Sequence, residues 1–171
     1  MKSALAAFAR AGLARPTTFR APNLCCDAES LALLRSFDFA LDSSGPAFRG
    51  DLPLVTRERG LIRIPVSGSP RPRVRRRYGI PTWARFAILN VGNVIDSTEP
   101  DLALAVEEIL ACQEAAGEAQ NHLVILSHPW EFVDLPRAGC AVSHRDRFEA
   151  RLTWLARHFN GELRTMTELT A

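Results

Sequence analysis

The chain has 171 residues, of which 47% are hydrophobic and 23% charged, with a formal net charge of +2. This is ordinary for a soluble globular protein, and the length suffices for one domain with a real core. No run approaches the ~18 apolar residues of a membrane span, and so small a charge argues neither for nor against a polyanionic partner.

Residues 2–13 read as a helix that stops near Gly12. Lys2 followed by small and apolar residues has some look of a secretory leader. Arg10 interrupts the would-be apolar stretch and Arg15 follows closely, so the segment reads as an amphipathic helix, with a signal peptide as the lesser alternative. Residues 17–20 form a short strand. Asp27 caps a helix running to about Phe37, with Leu31, Leu34 and Phe37 on one face. Residues 38–42 read as a strand leading into the turn Ser43-Ser44-Gly45-Pro46. Residues 61–65 are a further strand. From Ser67 to Tyr78 the prolines and arginines predict an exposed loop. Thr98-Glu99-Pro100-Asp101 matches a capping box and opens a helix with Leu102, Val106 and Ile109 inward and Gly117 as its stop.

The run Leu123-Val124-Ile125-Leu126 belongs to a strand over 122–127, which delivers His128 at its end. The loop 128–142 is too long to be a mere connector. Ser143-His144-Arg145-Asp146 reads as a second capping box. Its helix sets Phe148, Leu152, Leu155 and Phe159 on one stripe and ends at Asn160-Gly161. Residues 162–166 could form a last strand. There are no internal repeats.

Alternating helices and strands imply a single α/β domain over 1–171 with a mainly parallel sheet or barrel. In such folds the functional groups gather at strand ends. Arg20, Asp42 and His128 all stand there. Each also has a plainer reading: Arg20 as an ion-pair donor, Asp42 as the start of an Asp-Ser-Ser turn, His128 as a satisfied loop histidine. Together they match what amide hydrolysis needs, namely a general acid and an arginine that orients a base. The cysteines at 25, 26, 112 and 140 contain no C-x-x-C, and read as free, mostly buried thiols, weakly favouring a reducing compartment.

Three segments carry a resemblance: Phe19-Arg20-Ala21-Pro22, Phe39 to Ser44 (FALDSS), and Leu126 to Phe132 (LSHPWEF). With Arg147 to Leu169, they resemble the polysaccharide deacetylases, hydrolases with a distorted (β/α) barrel. The HPWEF form near Leu135-Pro136-Arg137 resembles the bacterial branch linked to exopolysaccharide and the cell envelope. The resemblance implies an N-acetylglucosamine-containing glycan as substrate and a divalent metal, usually zinc, that polarises the acetamide and a bound water. It implies that His128 protonates the leaving amine, Arg20 orients the base and Asp42 tunes the histidine. Leu126, Trp130 and Pro22 would then line the substrate pocket.

The chain departs severely from that family. The base and first metal ligand come from an Asp-Asp pair, and the other ligands from His-x-x-x-His. Neither occurs here: there is no Asp-Asp, and the histidines at 122, 128, 144 and 158 never fall four apart. The expectation is a partial barrel without its first strands, holding the acid half of the site, with no metal of its own and almost no activity alone. An unpaired sheet edge would favour self-association or a partner that completes the barrel. No specific nucleic-acid partner is expected, and the location is cytoplasmic or at the cell envelope. Two other readings stay open: a non-catalytic glycan-binding or scaffold domain, and an anionic-polymer module using Arg71, Arg73, Arg75, Arg76 and Arg77.

Overall fold

A computed structural model of the chain describes residues 1–45, 54–69, 73–77, 80–84, 87–132, 141–166 and 168; for 73–77, 80–84, 87, 129–130 and 141–143 the backbone alone is described. The architecture is mixed α/β, and its contacts divide the chain into two compact units.

The first unit comprises Met1–Gly45, Val55–Pro65 and Arg164–Ala171. It begins with α1 (Lys2–Arg10), which has no buried residue and ends before Gly12, where φ is +67°. Then come β1 (Thr18–Phe19), α2 (Ala28–Ser36), β2 (Leu41–Asp42), β3 (Thr56–Glu58) and β4 (Leu61–Arg63). The four strands form one open sheet in the order β1-β2-β4-β3. β1, β2 and β4 run parallel, with Thr18 opposite Leu41 and Leu41 opposite Ile62, while β3 pairs antiparallel on β4.

Helix α2 is the crossover that parallel pairing of β1 and β2 requires. Its start is fixed by Asp27, whose carboxylate accepts the Ser30 N–H at 2.8 Å. Leu31 and Leu34 bury their side chains with Phe39 and Leu61, the small core of this unit, against which Leu5, Phe19 and Phe37 pack. The chain leaves α2 through Asp38 at φ +53° and Phe39, whose N–H bonds to the Leu34 carbonyl at 3.1 Å. That turn uses up the first residues of the strand expected over 38–42, which shortens to two. Between β3 and β4 a two-residue turn, Arg59-Gly60, has φ of +49° and +84°.

The second unit comprises Pro46–Leu54 and Val66–Leu163. It contains β5 (Gly68–Ser69) paired antiparallel with β8 (Ala87–Ile88), and a hairpin of β6 (Arg73–Arg77) and β7 (Ile80–Ala84). This corrects the loop expected over 67–78: much of that arginine- and proline-rich segment is strand. Helix α3 (Val91–Asp96) follows, capped by Asn90, whose side-chain oxygen accepts the Asn93 N–H at 2.7 Å.

Helix α4 (Glu99–Ala115) begins on Thr98 as the capping box predicts, with the Asp101 N–H donating to the Thr98 hydroxyl at 3.3 Å, and Gly117 follows its end at φ +75°. Helix α5 (Ala141–His158) starts two residues before the expected Ser143 cap and closes before Asn160, at φ +49°. Leu102, Val106, Ile109 and Leu155 join Leu89 and Val94 in the core of this unit.

Among the described residues the strand expected over 122–127 reduces to one β-bridge, Asn90 with Leu126. These residues are tied down by the Leu126 N–H to the Leu89 carbonyl at 2.7 Å and the Ser67 N–H to the Val124 carbonyl at 3.0 Å. Residues 162–166 form no strand. No helix among the described residues is long and apolar enough to cross a membrane.

Candidate functional site

In the first unit the ends of β1, β2 and β4 carry a buried polar network. Asp42, the last residue of β2, is wholly inaccessible to solvent. A carboxylate there is tolerable only with partners, and it has them. One oxygen, Oδ1, accepts the Ser44 N–H at 3.1 Å and the Ser44 hydroxyl. The other, Oδ2, accepts Arg63 Nε at 3.2 Å, an ion pair whose arginine side chain is 19% exposed. The Ser44 hydroxyl in turn accepts the Ala21 N–H at 2.8 Å. Arg20 donates from Nε to the Ser43 carbonyl at 3.2 Å and from Nη2 to the Ser43 hydroxyl at 2.8 Å.

The Asp42-to-Ser44 bond is the side-chain-mimicked turn that Asp-Ser-Ser favours. It curls the chain after β2 beneath the residues that follow β1. Burial pushes the Arg20 guanidinium down from its usual value, and the Asp42 charge works against that shift. Even so, the group keeps its proton at neutral pH. Cys26 stands beside this network. Burial first, and then Asp42, push its thiol up, against Arg63 and a hydrogen bond with Ser44. Cys25 and Cys112 are exposed and Cys26 half-buried, so the described thiols are not mostly buried, as the sequence suggested; Cys140 lies outside the described residues. Pro22 is exposed, in a short 3₁₀ turn over Pro22–Leu24.

In the second unit His128 ends the apolar segment and opens a 3₁₀ turn, Pro129–Phe132. Its side chain is 40% exposed. Glu131 Oε2 accepts the His128 N–H at 2.6 Å and lies 3.5 Å from His128 Nδ1. Sequence reasoning passed over Glu131. The signal was present, since a residue followed by proline and then, three positions on, by glutamate has the spacing of a capping box whose acid reaches back to the cap N–H. Leu126 is half-buried, and Phe132 packs on Phe148 with ring centroids 5.5 Å apart. Of Trp130 only the backbone is described, within the 3₁₀ turn.

Arg20, Pro22 and Asp42 thus belong to the first unit, and Leu126, His128 and Trp130 to the second. Sequence reasoning also missed Arg63, which the parallel register brings beside Asp42 at the end of β2, whereas the Asp-Ser-Ser turn through Ser43 and Ser44 was among its readings. A hollow of about 400 Å³ in the first unit is lined by Lys2, Leu5, Phe8, Ala9, Leu13, Arg15 and Phe37, none of them a candidate residue. Among the described residues no three His, Cys, Asp or Glu side chains are grouped to hold a metal ion. The donors needed for the divalent ion that the resemblance implies are therefore not assembled there, and no step is routed through one. No family model, curated protein or solved structure matches the chain.

Proposed function

We propose that the chain is a polysaccharide deacetylase-like hydrolase module, a partial (β/α) barrel that acts on N-acetyl groups of an N-acetylglucosamine-containing glycan. It supplies the proton-donating half of the site. The metal, zinc or another divalent ion, and the base come from an Asp-Asp pair and a His-x-x-x-His segment that this sequence lacks. The observation that carries the reading is His128, half-exposed at the end of an apolar segment and held by a carboxylate. A ring so placed can give a proton to a leaving amine. The parallel strands that bring Arg20, just after β1, together with Asp42 and Arg63 at the ends of β2 and β4 give the reading further support. There Asp42 acts from within, fixing the turn, because a fully buried and bonded carboxylate cannot touch a glycan.

The test is completion. The chain is joined to the N-terminal part of a deacetylase that bears both missing motifs, and acetate release from an N-acetylglucosamine oligomer is measured. The chain alone is expected to release none and the joined protein to release acetate when metal is supplied. In the joined protein His128→Ala should lower turnover by about 10²–10⁴-fold. Turnover indifferent to His128→Ala would show that the acid lies elsewhere. Folding and metal uptake without any acetate release would favour the non-catalytic, glycan-binding reading.

A second reading has one observation in its favour. The arginine run is not an irregular loop but strand β6, with Arg73, Arg75 and Arg77 opposite Ala84, Thr82 and Ile80. Residues two apart share a strand face, so the hairpin offers three cationic positions in a row to an anionic polymer. Binding through them would weaken steeply with salt.

A further inference from the structure

We infer that Glu131 is the positioning residue of His128, and that one carboxylate oxygen sets both the backbone and the ring of the proton donor. The inference rests on the deacetylase reading for its meaning in catalysis, but not for its geometry. Oε2 of Glu131 takes the His128 N–H at 2.6 Å, a charge-assisted bond that pins the backbone where the 3₁₀ turn begins. The same oxygen faces His128 Nδ1 at 3.5 Å. A carboxylate on that side favours a hydrogen on Nδ1, because a bare Nδ1 lone pair would point at a negative charge.

The consequence for proton transfer follows from the two ring nitrogens. With Nδ1–H held toward Glu131, the proton delivered to a leaving amine is the one on Nε2. The Nε2–H bond breaks, an N–H bond forms on the amine, and the ring is left neutral as its Nδ1–H tautomer. Glu131 offsets the positive charge that the ring carries before delivery. The role of tuning the histidine, which the resemblance assigns to an aspartate, thus passes to a residue three positions away in the chain. Asp42 meanwhile is engaged by Ser44 and Arg63.

Pro129 makes the arrangement local. Proline at the first position of a helical turn has a preset φ and no N–H to satisfy. The turn therefore brings the Glu131 side chain back over His128, three positions earlier in the chain. Glu131 is 24% exposed in its side chain, so its charge is only partly screened by water.

The test reads the ring directly on the full chain, with no turnover required. Long-range nitrogen–proton NMR spectra of the imidazoles are recorded at an alkaline pH above which their signals no longer move. His128→Ala identifies the His128 signals among the four histidines. Wild type is expected to hold mainly the Nδ1–H tautomer. Glu131→Ala should reverse the majority to Nε2–H, the form that free imidazole favours. Glu131→Gln, which keeps an oxygen acceptor, should restore Nδ1–H. Glu131→Asp serves as the second disrupting variant if the alanine protein does not fold: it keeps the charge but withdraws it by one methylene, and should shift the ring toward Nε2–H. A wild-type ring held mainly as Nε2–H, or a tautomer ratio unmoved by either disrupting variant, overturns the inference. Failure of acetate release in the completed protein would sink the deacetylase reading and leave the ring result intact.

Discussion

The two units use similar residue types in opposite ways. In the first, the motif residues Arg20 and Asp42 bind the chain itself, and Asp42 is enclosed by Ser44 and Arg63. In the second, the apolar core of Leu89, Val94, Leu102, Val106, Ile109 and Leu155 holds the structure, and His128 stands half-exposed with one carboxylate beside it. A polar group that is buried and fully partnered frames a site. One that is accessible to solvent can react. Sequence motifs do not separate the two cases; burial and partners do.

The largest effect expected is in the apolar core. Leu102→Ala removes a side chain that is only 2% exposed and should cost about 3–5 kcal/mol in urea unfolding. A loss near zero would mean that this core does not hold the second unit. Next comes Asp42→Ala, expected to cost about 3 kcal/mol, because Arg63 and the Ser44 donors are left unpaired in a desolvated place. Were Asp42→Ala harmless to stability, the contrast between framing and reacting residues would collapse. Thr98→Ala, which removes the cap of α4, should cost about 1 kcal/mol in the same measurement. His128→Ala should change stability by no more than about 0.5 kcal/mol. A larger cost would mean that the histidine is structural after all.

The smallest effect concerns the thiols. In a protein with Cys140 replaced by serine, iodoacetamide should modify the exposed Cys25 and Cys112 first and Cys26 several-fold more slowly at neutral pH. The sign of its pH dependence follows from the same shift. A thiol raised on folding favours the protonated native state, so its contribution is fully present below the ordinary thiol value and is lost as pH rises through the higher folded one. Cys26→Ala should therefore flatten part of the alkaline loss of stability. An unchanged alkaline profile would show that burial and Asp42 do not raise the thiol.

The starts of α2 and α4 were legible in the sequence, whereas the Ser143 cap expected for α5 lies inside that helix. Asp27 before α2 and Thr98 before α4 cap as their residue types dictate, and the periodic Leu102, Val106 and Ile109 are buried together. The strands around Thr18–Phe19, Leu41–Asp42 and Leu61–Arg63 were legible in place but not in extent, and the others were not legible. The sequence shows an apolar stretch at 122–127, whereas the strand label depends on partners, and here one bridge forms.

Helix α3 was missed because Val91, Val94 and Ile95 are β-branched and give a short segment the composition of a strand. The arginine hairpin was missed because charge and proline argue for a loop, while backbone pairing is indifferent to charge. Of the candidate site, the strand-end positions of Arg20 and Asp42 could be read from sequence. Arg63 could not, because it reaches Asp42 through a register between residues 21 apart.

The Arg59-Gly60 turn has a kinetic consequence. Hairpins join neighbouring residues and form in about 1–10 μs, whereas pairing of β2 with β4 must close a loop of residues 21 apart. Arg59 sits at φ +49°, where a non-glycine residue with a long side chain is disfavoured and asparagine is tolerated. The hairpin therefore carries its own brake. Arg59→Asn should speed refolding in stopped-flow measurements if β3 and β4 meet before β2 joins. Asp42→Ala, which removes contacts made on the arrival of β2, should act mainly by speeding unfolding. On that order the polar network at the strand ends closes only when β2 arrives, and the Arg59 turn, which lies outside the strands that carry it, governs how fast its hairpin is ready.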